Sequence, residues 1–144
     1  MSQLIGCTCP DGVVLAADRR VEIRGDDGET RGEQVARKLY PLGRTAAVAS
    51  SGAAVGIEIC QQLNRSVDRS VDLDVDALEG YLLSVFQPAY DRFTAAGADW
   101  FAAHPEAITR VYLALAALDD DGAPALRFYG SETHDEPLHR LPLD

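Results

Sequence analysis

The sequence predicts an α+β fold. Three observations carry that expectation. Apolar, β-branched runs at 3–9 and 13–17 flank Pro10-Asp11-Gly12. Between 53 and 96 the apolar spacing changes to the helical period. A second strand–turn–strand pattern follows at 110–129. Strand pairs, then long helices, then a further strand pair is the order of helices laid on an antiparallel sheet.

Residues 3–9 (QLIGCTC) read as a strand. Pro10 presets φ for a turn and Gly12 tolerates positive φ, so 13–17 (VVLAA) returns as the second arm of a hairpin. Residues 22–34 are polar with three Gly and read as an exposed loop. Residues 38–40 form a short strand before Pro41, and 45–50 (TAAVAS) form another, ending at Ser51-Gly52. Val55, Ile59, Leu63 and Val67 then recur at helical spacing, which predicts a helix over 53–68. A second helix is predicted over 75–96. Asp74 caps it, Leu78, Leu82, Val85, Phe86, Tyr90 and Phe93 form its apolar stripe, and Gly97 ends it. Pro88 lies inside it and predicts a kink. Residues 99–107 read as an irregular connection. A strand at 110–118, a turn at 119–122 and a return strand at 125–129 follow. Residues 130–144 are polar and read as an irregular tail of a single domain spanning 1–144.

The chain has 144 residues, which is one domain's worth. Acids outnumber bases 23 to 13, for a formal net charge of −10. That balance argues against nucleic-acid and anionic-membrane partners, which select basic surfaces. No apolar stretch is long enough for a membrane span and no secretory signal is visible. Three cysteines are an odd number, which points to a reducing, cytoplasmic setting without a disulfide framework. Cys7 and Cys9 share a strand face and read as core or wall positions, where cysteine acts as a small hydrophobe. Of the 13 bases only Lys38 is a lysine.

Several chemistries have no motif. There is no phosphate-cradling glycine loop, no H-E-x-x-H and no paired Cys-x-x-Cys, so neither a cofactor nor a metal is expected. There is no G-x-S-x-G elbow. His104-Pro105-Glu106 lacks the P-C-x-x-C half of a zinc deaminase. His104, His134 and His139 fall in connecting or tail segments and read as solvated.

One constellation is present. If Cys9 pairs with Val13, then Leu4 faces Asp18 and Ser2 faces Arg20, with all four on one face of the hairpin. Ser2 is small, so removal of Met1 is expected. Ser2 would then carry a hydroxyl and a free α-amine on one residue. Such an amine, with a pKa of about 7.7–8.0, can take the hydroxyl proton itself. An ammonium beside it would hold the amine's pKa down, and a carboxylate would hold that ammonium in place. Lys38 and Asp18 suit those two parts. Ser51-Gly52, ahead of a helix, suits an oxyanion-binding N–H.

Three stretches, DGVVLAADRR (11–20), VARKLYPLG (35–43) and AVASSGAA (47–54), together closely resemble the β subunits of the 20S proteasome. That resemblance implies an N-terminal nucleophile hydrolase with a proteasome-like αββα sandwich. It implies Ser2 as nucleophile, Asp18 and Lys38 as its catalytic partners, and Gly52 as the oxyanion glycine. Ser50 and Ala54 would line the first specificity pocket. The substrate would be a peptide or protein, and the chain would assemble as a homo-oligomer or proteasome-like particle.

The departures shape what is expected. Ser2 stands where the family has Thr and lacks the methyl that fixes the hydroxyl's rotamer. Glu22 stands where the family has a Thr that pairs with the substrate backbone, and a charge there would disfavour acidic peptides. The family's β subunits run well past residue 144, so the sandwich is expected to be truncated or partial in its second half. Its bare apolar faces would be covered by a partner or by self-association, or the layers would be rearranged. The alternative is a catalytically inactive structural or regulatory subunit.

Overall fold

The computed structural model describes residues 2–107, 109–132 and 136–143. It contains two separate hairpins, a five-stranded antiparallel sheet and three helices. The first hairpin is β1 (Leu4–Cys9) and β2 (Gly12–Ala17), and the second is β3 (Arg20–Arg24) and β4 (Thr30–Val35). The large sheet has the order β5 (Leu39–Leu42), β6 (Ala46–Gly52), β7 (Val111–Leu118), β8 (Pro124–Ser131), β9 (His139–Leu141). Between β6 and β7 the chain makes α1 (Val55–Ser66), α2 (Val75–Ala96) and α3 (Ala98–Ala103).

The main core lies between the helices and one face of this sheet. Val111, Leu113, Leu115 and Ala117 alternate along β7 and are buried against Ile59, Leu63, Leu78, Leu82, Phe86 and Tyr90 of α1 and α2. Asp74 caps α2, accepting from the Ala77 N–H at 2.8 Å, and the helix runs through Pro88 without a break. The other sheet face carries small residues. Ala49, Ala114 and Ala116 are buried there because the first hairpin lies directly on it. Gly6 marks the closest approach. A Cβ at Gly6 would stand 2.8 Å from Leu126 Cδ2 and 3.1 Å from Phe128 Cζ, so a larger residue would require those side-chain ends to shift.

The αββα sandwich is not formed. Helices cover one face of the five-stranded sheet. The opposite face meets a two-stranded hairpin rather than a second full sheet, and no described helix covers that hairpin. The second hairpin stays a separate ribbon instead of joining the first. A sandwich needs a wide second sheet whose outer face can seat two helices, and two strands offer no such seat. The outer face of β1–β2 is accordingly bare, with Ile5 61% and Val14 60% exposed.

Six local expectations also change. The span read as an exposed loop is the hairpin β3–β4, though it is as exposed as expected. The connection after Gly97 contains α3, and the span read as a polar tail contains β9. The β1–β2 register is one residue tighter than the sequence suggests, with Cys9 opposite Gly12 and Leu4 opposite Ala17. Gly12 joins the strand and does not use a positive φ. Cys7 and Cys9 are exposed, not core or wall residues, because they point away from the sheet.

Cys60 is the buried thiol, and burial pushes its pKa up to about 12 against a hydrogen bond with Ser50 that lowers it. Only a thiolate attacks an alkylating reagent. Iodoacetamide is therefore expected to modify Cys7 and Cys9 in the folded protein and Cys60 only after unfolding, as read by peptide mass spectrometry. Native labelling of Cys60 would contradict the packing of α1 on β6.

No helix among the described residues is long and apolar enough to cross a membrane. Nor do the described residues gather three or more His, Cys, Asp or Glu side chains that could hold a metal ion.

Candidate active site

Lys38 is the centre of the site. It precedes β5, and the carbonyl of Lys38 accepts from the Ser50 N–H at 2.9 Å, which fixes the backbone. Its side chain is only 4% exposed and points toward the first hairpin. Nζ donates to Ser2 Oγ at 3.0 Å, to Asp18 Oδ1 at 3.0 Å and to the Arg20 carbonyl at 2.5 Å. An ammonium has three donors, and all three are used.

Asp18 sits just beyond β2. Its backbone pairs with Gln3, the Asp18 N–H donating to the Gln3 carbonyl at 3.1 Å. Its carboxylate accepts from the Gln3 N–H at 3.0 Å and the Arg20 N–H at 3.1 Å. Burial alone would raise its pKa. The Gln3 N–H, the Lys38 ammonium and the Arg20 N–H outweigh burial and hold the carboxyl below its ordinary value of 3.8. The sequence brought Asp18 to Ser2 by strand pairing. The tighter register sets Asp18 opposite Gln3 instead, and Lys38 is what joins Asp18 to Ser2.

Gly52 ends β6 with φ +89°. A Cβ there would meet the Arg110 carbonyl oxygen at 2.3 Å, so both the conformation and the space require glycine. The next residue, Ala53, donates its N–H to that same carbonyl at 2.8 Å and locks the turn into α1.

Ser2, Lys38 and Gly52 line one cavity of about 620 Å³, together with Glu22, Ser50 and Ala54. Thus every sequence-predicted residue except Asp18 lies on one wall system, and Asp18 is bonded to Lys38 behind it. Ser2, Ser51 and Tyr112 also border a second hollow on the side of β1. The two hollows share these three residues.

Glu22 does not stand alone. Arg20 lies 3.7 Å and Arg24 3.8 Å from its carboxylate, and Arg20 also pairs with Glu33. Its charge is met by two guanidinium groups, so exclusion of acidic peptides by Glu22 alone no longer follows.

Sequence reading missed part of the site. Trp100 and Phe101 of α3 and Arg110 before β7 also line the cavity. Gly97 hid α3, because a glycine after a long helix reads as the end of helical structure. The adjacent aromatics Trp100 and Phe101 were the only available signal. His104 is not simply solvated. Its ring stacks on Trp100 at 4.4 Å, and the tip of β3–β4 at Gly28 lies against it. His139 is exposed on β9, while Met1 and His134 lie outside the described residues.

Chemically, the arrangement is a hydroxyl polarised by a buried cation, a carboxylate that orients the cation, and a cavity beside the hydroxyl large enough for a small ligand. No family model and no curated protein matches the chain.

Proposed function

We propose that the chain is an amide hydrolase of the N-terminal nucleophile type, with Ser2 as nucleophile once Met1 is removed. One observation carries the reading: a buried lysine ammonium bridges Ser2 Oγ and Asp18 Oδ1, both at 3.0 Å, at the mouth of a cavity. The reading rests on this site and does not require the sandwich.

Ser2 Oγ attacks the carbonyl carbon of a peptide or amide, and its proton passes to the α-amine of Ser2. The carbonyl oxygen takes up the electron pair and is stabilised by the Gly52 N–H. The C–N bond breaks as the carbonyl reforms, and the leaving amine takes the proton. Water then attacks the acyl ester and gives its proton to the Ser2 α-amine, which passes it to Ser2 Oγ as the ester C–O bond breaks, releasing the acid with Ser2 restored. Lys38 keeps the hydroxyl oriented and disfavours protonation of the adjacent amine. Asp18 keeps Lys38 in place. No cofactor enters any step.

The test is the intact mass of the purified protein, alone and after incubation with a β-lactone or epoxyketone. The expected result is loss of Met1 and one adduct on Ser2, absent in Ser2→Ala. Retention of Met1, or no adduct, overturns the reading. The uncovered outer face of β1–β2 favours the second reading, a non-catalytic structural or regulatory subunit of a homo-oligomer or proteasome-like assembly. An unreacted Ser2 would support it.

A further inference from the structure

The outer face of the first hairpin carries two thiols. Alternation along β1 and β2 turns Leu4, Gly6 and Leu15 toward the large sheet and leaves Ile5, Cys7, Cys9 and Val14 on the outer side. Cys7 and Cys9 are both free and exposed. Neither lines the hollows at Ser2. Val14 stands directly opposite Cys7, and Ile5 lies two residues before it on the same face.

Two steps of extended chain separate the cysteines, so their Cβ atoms stand about 6.6 Å apart. A disulfide needs Cβ atoms within about 3.5–4.5 Å of each other. The two thiols therefore cannot oxidise onto one another while β1 stays extended and paired. A single ion between them makes a looser demand. Two metal–sulfur bonds of about 2.3 Å, laid end to end, span ~4.6 Å. Rotation of the thiols toward each other about their Cα–Cβ bonds closes the remaining ~2 Å. One thiol already leans that way. The Cys7 thiol donates to the Thr8 carbonyl at 3.6 Å, and that carbonyl lies between the two cysteines along the chain.

The donor set selects the ion. Thiolates favour zinc, copper(I) and iron–sulfur clusters among the first-row metals. Zinc takes four donors in a structural site, and the described residues offer no group of three or more around these thiols. Copper(I) accepts two donors in line. Ile5 and Val14 set hydrocarbon beside the thiols, which limits the access of water to a bound ion.

We infer that Cys7 and Cys9 form a two-coordinate site for a soft monovalent metal ion, copper(I). As the ion enters, each thiol loses its proton to solvent and two Cu–S bonds form, with no change of oxidation state. The site is separate from the proposed hydrolase centre and does not depend on it.

The test is competition for copper(I). The reduced protein, kept free of oxygen, is titrated into the coloured copper(I)–bicinchoninate complex. The expected result is withdrawal of one copper per chain, read as loss of the complex's absorbance. Cys7→Ser and Cys9→Ser should each weaken binding by about 100-fold or more, beyond what loss of a merely supporting group costs. A chain carrying Thr8→Cys together with Cys9→Ser keeps two thiols but sets them on opposite faces of β1, and should bind as weakly as Cys9→Ser alone. All three positions are exposed, so circular dichroism spectra are expected to match that of the unmutated chain. Where a spectrum differs, Cys7→Ala or Cys9→Ala is measured in its place. No withdrawal, withdrawal that survives either single substitution, or full binding by the face-swapped chain overturns the inference. One copper held between two chains, seen as a doubled mass on size-exclusion chromatography with the metal, overturns it as well.

Discussion

Replacing Lys38 with Met is expected to lower kcat/KM for amide hydrolysis by about a thousandfold or more. Methionine keeps the length and fills the space, so what is removed is the charge and its three donated hydrogen bonds. The Ser2 hydroxyl loses its orienting partner. Asp18 keeps the Gln3 and Arg20 N–H groups but loses its counter-ion. Its side chain is 24% exposed, so solvent compensates part of that loss and the stability cost is expected to be about 1–3 kcal/mol. Lys38→Arg should lose nearly as much activity, since a planar guanidinium cannot reach the same three acceptors. The acid limb of stability gives an independent reading. In the unmutated chain the folded pKa of Asp18 is depressed, so its contribution is complete above 3.8 and is lost as pH falls below that through the folded value. Without Lys38 the folded pKa rises toward that ordinary value, so less stability is lost on acidification and the acid limb is shallower. Urea midpoints measured from neutral to acid pH check this. Coincident acid limbs, or activity within about tenfold of the unmutated chain, would contradict the role given to Lys38.

Phe86→Ala is expected to destabilise the fold by about 3–5 kcal/mol. That is a large share of the ~5–15 kcal/mol that holds a typical domain folded. Phe86 is 1% exposed at the centre of the α2 surface that covers the sheet. Its ring stacks on Tyr90, centroids 5.4 Å apart and planes 14° from parallel. The Tyr90 hydroxyl donates to the Thr109 carbonyl at 2.8 Å, which ties α2 to the segment entering β7. Truncation leaves a cavity that neither the strand nor a hydrogen-bonded helix can close. Tyr81→Ala, on the exposed side of the same helix, should cost no more than about 0.5 kcal/mol. Urea unfolding of both variants makes the comparison. Similar midpoints would show that α2 does not carry the core.

How much of this was legible in the sequence depends on which faces are dry. α2 is read with both ends correct because its apolar stripe is long, Asp74 caps it and Gly97 follows. β7 and β8 are legible because an apolar run returns across an acidic turn. β3 and β4 are not, because a ribbon wet on both faces has no reason to alternate apolar with polar residues. β9 has three residues, too few for any period. The number of layers is not written locally at all. It depends on whether two hairpins join into one sheet, and nothing in either hairpin announces that.

The site shows a different division. The residue types at Ser2, Asp18, Lys38 and Gly52 point to nucleophilic chemistry before any geometry is known. The strand register that first brought Ser2 to Asp18 is wrong by one residue, yet the two side chains meet on the same lysine. A long, flexible side chain tolerates a register error that a direct contact would not. Trp100 and Phe101 were illegible as cavity residues because their helix begins where a glycine marks the end of another.

The rim of the five-stranded sheet has a bearing on assembly. At β5 the unpaired side of the ladder offers little to an incoming strand. Pro41 has no N–H to give. The Leu39 carbonyl is already taken by Arg37 Nε at 2.8 Å, and the Pro41 carbonyl by Asn64 Nδ2 at 2.6 Å. At the far side, β9 is too short to template another chain. Lateral growth of this sheet is thus obstructed at both borders, while Ile5 and Val14 lie open on the outer face of the first hairpin.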